Sequence, residues 1–86
     1  MITVTKYSTS WCQPCKTLAP IFEQVKSSVS GVSFQSIDVD QDSQSAIKYN
    51  IRSVPTIIIE KDGQEVKRIV GMSTKEALIS TINSFN

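Results

Sequence analysis

Residues 10–16 read SWCQPCK, and Cys12 and Cys15 within this stretch are the only cysteines of the chain. The chain contains no histidine. A structural zinc site normally needs four cysteine or histidine ligands, so this pair would bind zinc only together with carboxylates or with a second copy of the chain. A cysteine nucleophile activated by histidine is excluded, because the partner residue is missing. We therefore expect no metal site.

Two interpretations of the cysteine pair remain, a structural disulfide and a reversible dithiol/disulfide couple. The stabilisation from a disulfide grows with the length of the loop that it closes, and this loop would be very short. Structural disulfides are also unusual in cytosolic proteins. The reversible couple is therefore the favoured interpretation, and the residues around the pair support it.

An amphipathic helix is predicted directly after the pair, from about Pro14 to Ser28. Its apolar residues have the spacing of one helix face: Leu18, Ile21, Phe22, Val25 and Val29. Pro14 suits the first turn, where a missing N–H group is no loss. Cys12 then lies at the helix N-terminus, where free N–H groups and the helix dipole favour a thiolate. This placement makes Cys12 the attacking nucleophile and Cys15, on the same side of the helix, the resolving cysteine.

The rest of the chain predicts a single α/β domain over residues 1–86, with elements in the order βαβαββα. Residues 56–59 are continuously apolar and β-branched, which indicates a strand buried on both faces. Asp62-Gly63 is a strong signal for a hairpin, and residues 73–76 read as a capping box for the last helix. We expect a four-stranded mixed sheet flanked by helices, with its first two strands parallel. The other strands are expected at about residues 2–7, 33–39 and 65–70, and a short helix at 45–49.

Charge and hydropathy exclude several classes of partner. The net charge is +1 and the basic residues are scattered, so there is no electrostatic footprint for nucleic acid or for an anionic membrane. The longest apolar runs are far too short to span a bilayer. Polar residues near the N-terminus interrupt any secretory signal. We therefore expect a cytoplasmic protein.

Four short motifs follow one another along the chain. They are Trp11-Cys12-Gln13-Pro14-Cys15-Lys16 at the start of a helix, Ala19-Pro20 within it, Val54-Pro55-Thr56 before the third strand, and Val70-Gly71 after the fourth. Together they resemble the thioredoxin family, and the match runs through nearly the whole chain. The resemblance implies a thioredoxin-like fold and a thiol–disulfide oxidoreductase that needs no prosthetic group.

The resemblance also implies a substrate-binding surface around the cysteines. The Val54–Pro55 peptide bond would be cis and would lie beside the pair, and the backbone around Val54 would pair with an extended substrate. Gly71 and Met72 would line the groove. Trp11 would shield Cys12 and form part of the docking surface, with a core tryptophan as the alternative.

The sequence departs from the family pattern at three places. It starts directly with the strand that leads to the cysteines, without the usual first strand and helix, and in this compactness it resembles glutaredoxins and small archaeal thioredoxin-like proteins. Lys6 and Ser36 stand where the family usually has a buried aspartate and a lysine. Protonated Lys6 cannot act as the base that this aspartate supplies, but its charge would stabilise a nearby thiolate. Alternatively, its stem packs and its ammonium reaches solvent. The dipeptide between the cysteines, Gln13-Pro14, replaces Gly-Pro, at a position that tunes the redox potential and contacts substrates.

These observations together predict a dithiol reductase of protein disulfides that acts as a monomer. Its electrons would come from a thioredoxin reductase or from glutathione. The residues around the cysteines favour the former, and the small size favours a glutathione-coupled, glutaredoxin-like reductase. A non-catalytic thioredoxin-like binding module is an alternative of another class, because a fold alone does not determine function. An oxidase or isomerase would need an oxidising compartment, for which the sequence offers no sign.

Overall fold

The computed structural model describes all 86 residues and contains four strands and three helices. Their order, βαβαββα, is the predicted one, and every predicted boundary lies within two residues of the observed one. The elements are β1 (Ile2–Ser8), α1 (Gln13–Ser28), β2 (Val32–Asp38), α2 (Ser43–Lys48), β3 (Thr56–Lys61), β4 (Gln64–Val70) and α3 (Lys75–Phe85). None of the helices is both long enough and apolar enough to cross a membrane.

The four strands form one mixed sheet in the order β2-β1-β3-β4. β1 and β2 are parallel, as expected for strands joined through a helix, whereas β1 with β3 and β3 with β4 are antiparallel. Asp62 and Gly63 both have positive φ angles, 53° and 86°, as the two-residue hairpin turn requires. The predicted hairpin and mixed sheet are confirmed.

The main apolar core lies between the sheet and the helices α1 and α3. Side chains alternate along β1, so that Ile2 and Val4 enter this core whereas Thr5 and Tyr7 point to the opposite face. β3 is buried on both faces, as predicted, because it is a central strand. The core consists of Ile2, Val4, Leu18, Phe22, Val25, Val29, Ile57, Ile59, Leu78 and Ile82.

The opposite face of the sheet is covered by α2 and the loop that follows it. The ring of Tyr7 packs against that of Tyr49 with centroids 6.2 Å apart. The Tyr49 hydroxyl donates to Glu60 Oε2 at 3.0 Å. Arg68 donates from Nη2 to the Tyr49 carbonyl at 2.7 Å and also pairs with Glu65. Polar contacts therefore dominate this face, and α2 itself has no buried residue.

The helix N-termini show one correction to the sequence-based expectation. The last helix is capped by Thr74, whose Oγ1 accepts from the Ala77 amide at 3.1 Å, and not by Ser73. Ser73 and Thr74 are both good capping residues, so the sequence pattern alone does not choose between them. The short helix begins at Ser43 because Asp42, immediately before it, accepts from the Ser45 amide.

Candidate active site

The two cysteines lie at the start of α1, at one end of the sheet. Cys12 is the N-cap residue, with φ −88° and ψ 114°, and Cys15 lies in the first turn. Their Cα atoms are 5.2 Å apart, and the two sulfur atoms are joined in a disulfide. The α1 register therefore brings both sulfur atoms together without any other element, as the spacing of the cysteines predicts.

The surroundings of the two sulfur atoms differ. The Cys15 amide donates to Cys12 Sγ at 3.2 Å, and the same sulfur lies 3.8 Å from the Val54 carbonyl oxygen. Both cysteines are largely buried, but only Cys12 lines the surface groove beside the disulfide. Of the two cysteines, Cys12 is therefore the one that the groove reaches.

The loop before β3 lies against the disulfide and joins it to the end of β4. The Val54–Pro55 peptide bond is cis, and Pro55 is buried. The Gly71 amide donates to the Pro55 carbonyl at 2.9 Å, and Gly71 has φ 89°, a backbone conformation that favours glycine. Met72 follows with 47% of its surface exposed. Val54 and Pro55 thus link Cys12 on one side to Gly71, at the end of β4, on the other.

A groove of about 780 Å³ opens on the other side of Cys12, between the cysteine loop and α2. Trp11 forms one wall and is 72% exposed, so the alternative of a core tryptophan is contradicted. Its Nε1 donates to Asp40 Oδ2 at 2.9 Å, which holds the indole in place. Gln13, Pro14 and Val54 also line this groove, whereas Pro55, Gly71 and Met72 do not.

A family model described as Thioredoxin matches residues 1–84. The chain belongs to the thioredoxin family. Curated thioredoxins of Chlamydia caviae and Staphylococcus aureus are 42% and 39% identical to it over 73 and 75 residues, covering 85% and 86% of this chain and 72% of each relative. With this membership and an intact, disulfide-bonded Cys12–Cys15 pair, the protein is a thiol–disulfide oxidoreductase.

Solved thioredoxin structures contain nearly all of the fold of this chain. A thioredoxin mutant from Halobacterium salinarum aligns with a TM-score of 0.92 and 31% identity, covering 98% of this chain and 74% of that one. Fasciola hepatica thioredoxin aligns with a TM-score of 0.91 and 34% identity, covering 99% of this chain and 81% of that one. The predicted thioredoxin-like fold is confirmed.

Lys6, which stands at the usual position of the family's aspartate, is buried beneath α1. Its Nζ lies 5.2 Å from the centroid of the Phe22 ring, a cation–π contact. Burial lowers the pKa of Lys6, and the neighbouring Glu23 carboxylate partly opposes this by raising it. The ammonium thus lies beside Phe22 and Glu23, well along α1 from the cysteines at its start.

Sequence reasoning missed the residues of the α2 wall of the groove. Ile47 of α2 and Ile51, three residues after the end of α2, line the groove. Thr9, which lies before the cysteines, also lines the groove, and its buried Oγ1 has no hydrogen-bond partner. A short helix shows too few turns for its exposed face to be read from periodicity, so Ile47 carried no signal. The chain also contains no group of three or more histidine, cysteine, aspartate or glutamate residues placed to hold a metal ion.

Proposed function

We propose that this oxidoreductase reduces disulfides in other proteins, with Cys12 as the nucleophile. The Cys12 thiolate attacks one sulfur of the substrate disulfide, forming a mixed disulfide and releasing the other substrate sulfur as a thiolate that takes up a proton. The position of Cys12 on the groove, with Cys15 behind it, is the observation that carries this assignment.

The N-terminus of α1 supplies the groups that favour a Cys12 thiolate. The Cys15 amide, already 3.2 Å from Cys12 Sγ, stabilises negative charge on that sulfur. The helix dipole acts in the same direction, and the first turn has no acidic residue to oppose it. The reduced protein therefore presents a reactive thiolate at the groove.

Cys15 completes the cycle by attacking Cys12 Sγ in the mixed disulfide. The Cys12–Cys15 disulfide forms, the bond to the substrate breaks, and the second substrate sulfur leaves as a thiolate. Two electrons have then passed from the protein dithiol to the substrate. This step is intramolecular because both cysteines belong to the start of α1, and it is fast because their Cα atoms are only 5.2 Å apart.

The substrate polypeptide would lie across the surfaces on both sides of Cys12. Trp11, Gln13 and Pro14 would contact it on the groove side, and Gly71 and Met72 on the other. The backbone of Val54, before Pro55, would pair with an extended substrate strand, as in other edge-to-strand recognition.

The electron donor completes the proposal. We assign a thioredoxin reductase as the donor that returns two electrons to the Cys12–Cys15 disulfide. The support for this donor is the match to the thioredoxin family over residues 1–84. A reductive cycle of this kind runs in a reducing compartment, so we place the protein in the cytoplasm, acting as a monomer. Glutathione is the alternative donor.

Two cysteine variants test the mechanism. Cys12→Ser should abolish dithiol-dependent reduction of insulin disulfides, whereas Cys15→Ser should accumulate a mixed disulfide that mass spectrometry detects on Cys12. If Cys12→Ser still reduced insulin, the assignment of the nucleophile would be wrong. A double serine variant that kept its cellular role would instead indicate a non-catalytic binding module.

The reduction potential separates the two electron donors. Equilibration against dithiol buffers should place the couple near the thioredoxin value of about −270 mV if a thioredoxin reductase supplies the electrons. A value near about −200 mV would favour glutathione. Direct turnover with each donor then settles which one reduces the protein.

A further inference from the structure

Two of the largest exposed apolar side chains face the same groove. Trp11 is 72% exposed and Ile47, in α2, is 77% exposed, and both line the groove that has Cys12 among its lining residues. Single exposed apolar residues are common on protein surfaces, whereas apolar residues that share a concave surface mark a binding site. The juxtaposition of these two residues beside the disulfide therefore calls for a functional explanation.

The groove offers apolar contacts with little free charge. Ala46 and Ile51 extend the apolar surface around Ile47. Of the charged residues on its walls, Asp40 is engaged by the Trp11 indole at 2.9 Å. Arg52 is the other, and its Nε lies 3.4 Å from the Asn50 side-chain oxygen. Arg52 has no carboxylate partner, but it lies beyond the apolar part of the lining formed by Trp11, Ala46, Ile47 and Ile51. Against that apolar part, an uncharged apolar group binds better than a carboxylate or an ammonium, which would lose hydration there.

We propose that the space between Trp11 and Ile47 binds an apolar side chain next to the cystine of the substrate, and that Ile47 determines this preference. The proposal rests on the proposed function and names its substrate class: polypeptides whose reducible cysteine is flanked by a large aliphatic or aromatic residue. The occupant is a segment of a polypeptide. When Cys12 attacks a substrate disulfide, the substrate cysteine lies at the groove, and the residues next to that cysteine in the substrate chain then lie along the groove.

The dimensions of the site support this occupant. Neighbouring residues of an extended chain are about 3.3 Å apart, so residues one or two positions from the substrate cysteine remain beside Cys12. A volume of about 780 Å³ accommodates several side chains of such a segment. A small disulfide that carries no flanking residues would reach Cys12 without touching Ile47.

The α2 wall is held firmly enough to select a side chain. Asp42 caps the start of α2, accepting from the Ser45 amide at 3.2 Å. After the end of the helix, Arg68 binds the carbonyl oxygens of Tyr49 and Asn50 at 2.7 and 3.3 Å. Hydrogen bonds thus hold both ends of the segment that carries Ile47. This segment therefore loses little conformational entropy when a substrate binds.

The test compares three cystine peptides that differ only in the residue next to the reducible cysteine, which is Leu, Ser or Asp. Hydroxyethyl disulfide serves as a substrate without flanking residues. Wild-type protein should give the highest kcat/KM with the Leu peptide. In Ile47→Ser, kcat/KM for the Leu peptide should fall about tenfold, mainly through KM, as expected for loss of one apolar contact.

Val66→Ser is the matched control, because Val66 is an exposed apolar residue of β4 that does not line the groove. It should leave all rates unchanged. Ile47→Ser should also keep the wild-type reduction potential and the wild-type rate with hydroxyethyl disulfide. A second variant, Ile47→Lys, should raise the rate with the Asp peptide above that of wild type, since it adds a partner of opposite charge.

The outcomes separate this inference from the proposed function. If Ile47→Ser lowers the rate with all three peptides equally, or with none, Ile47 does not determine specificity, although peptide reduction by Cys12 still stands. If wild-type protein reduces hydroxyethyl disulfide but none of the peptides, the proposed function itself is wrong. Loss of the Leu preference in Ile47→Ser alone supports the inference.

Discussion

The two faces of the sheet are held in different ways. On one face, α1 and α3 pack an apolar core in which Leu18, Val25 and Ile57 are fully buried. On the other face, α2 contributes no buried residue and is held by hydrogen bonds from Arg68 and Tyr49. We infer that the first face supplies most of the stability of the fold, whereas the second positions the wall of the groove.

A deletion in the apolar core gives the largest effect that this comparison predicts. Phe22 is 2% exposed and packs edge-to-face on Phe34, with ring centroids 5.7 Å apart. Phe22→Ala should lower the free energy of unfolding by about 3–5 kcal/mol in a urea titration, because it leaves a cavity. Ile47→Ala, on the other face, should change it by less than about 0.5 kcal/mol. Equal losses would remove the distinction between the faces.

The contribution of the polar face to the free energy of unfolding should change at alkaline pH. Burial, reinforced by nearby Tyr49, Glu60 and Asp42, raises the pKa of Tyr7 to about 12. The unfolded chain releases the same proton near pH 10. The stabilisation from the protonated phenol is therefore complete below about pH 10 and is lost as the pH rises towards 12, by on the order of 2 kcal/mol.

Tyr7→Phe isolates this contribution. Urea titrations of wild type and variant at several pH values should show a stability difference that changes between pH 10 and 12 and stays constant below. Lys6, whose pKa is lowered by burial, titrates in both proteins and cancels in the difference. The pKa of Tyr49 is raised mainly by its bond to Glu60, which both proteins keep. If the free energies of unfolding of the two proteins changed with pH in the same way, folding would not raise the pKa of Tyr7.

Loss of the Arg68 side chain should loosen the groove wall more than the core. Arg68→Met removes the donors to Tyr49 and Asn50 and should lower the free energy of unfolding by about 1–2 kcal/mol. The Ile51 amide, bonded to the Ala46 carbonyl at 2.8 Å, should then exchange its hydrogen faster, while core amides of β3 keep their order of protection. Lys67→Met, a neighbouring exposed cation, is the control and should change neither.

The smallest effect is expected at a hydroxyl beside the groove. Thr9 Oγ1 is buried without a partner, so Thr9→Val should raise the stability of the oxidised protein by about 1 kcal/mol. Thr5→Val is the matched comparison, because Thr5 Oγ1 accepts from Gln35 Nε2 at 2.8 Å. That variant should lose about 1 kcal/mol. Similar losses in both would mean that Thr9 has a partner in solution.

Most of the fold could be predicted from local signals. The apolar spacing after Cys15 located α1, and Asp62-Gly63 located the hairpin, because each depends on nearby residues alone. Strand ends shifted by one or two residues, and helix starts shifted where several capping residues follow one another, as at Ser73 and Thr74. There the sequence offers equivalent caps, and tertiary packing selects one.

The site was predictable only where it depends on α1. The N-terminal position of Cys12 followed from the helix pattern, whereas the α2 wall did not, because the exposure of Ile47 depends on how a short helix sits on the sheet. The contact between Lys6 and Phe22 could not be predicted from the sequence either, since it joins β1 to a later turn of α1. The relation of Trp11 to Asp40 also needed the fold, because the two residues belong to separate loops.

The central position of β1 has a consequence for synthesis on the ribosome. β1 precedes both of its sheet partners in the chain, pairing Ile2 with Val32 of β2 and with Lys61 of β3. At about 5–20 residues per second, roughly 3–11 s separate the translation of β1 from that of the end of β3. During that interval β1, which is central in the finished sheet, has no native neighbour on its β3 side. Its pairing can therefore be completed only after residue 61 has been synthesised, so the sheet closes late in the translation of this chain.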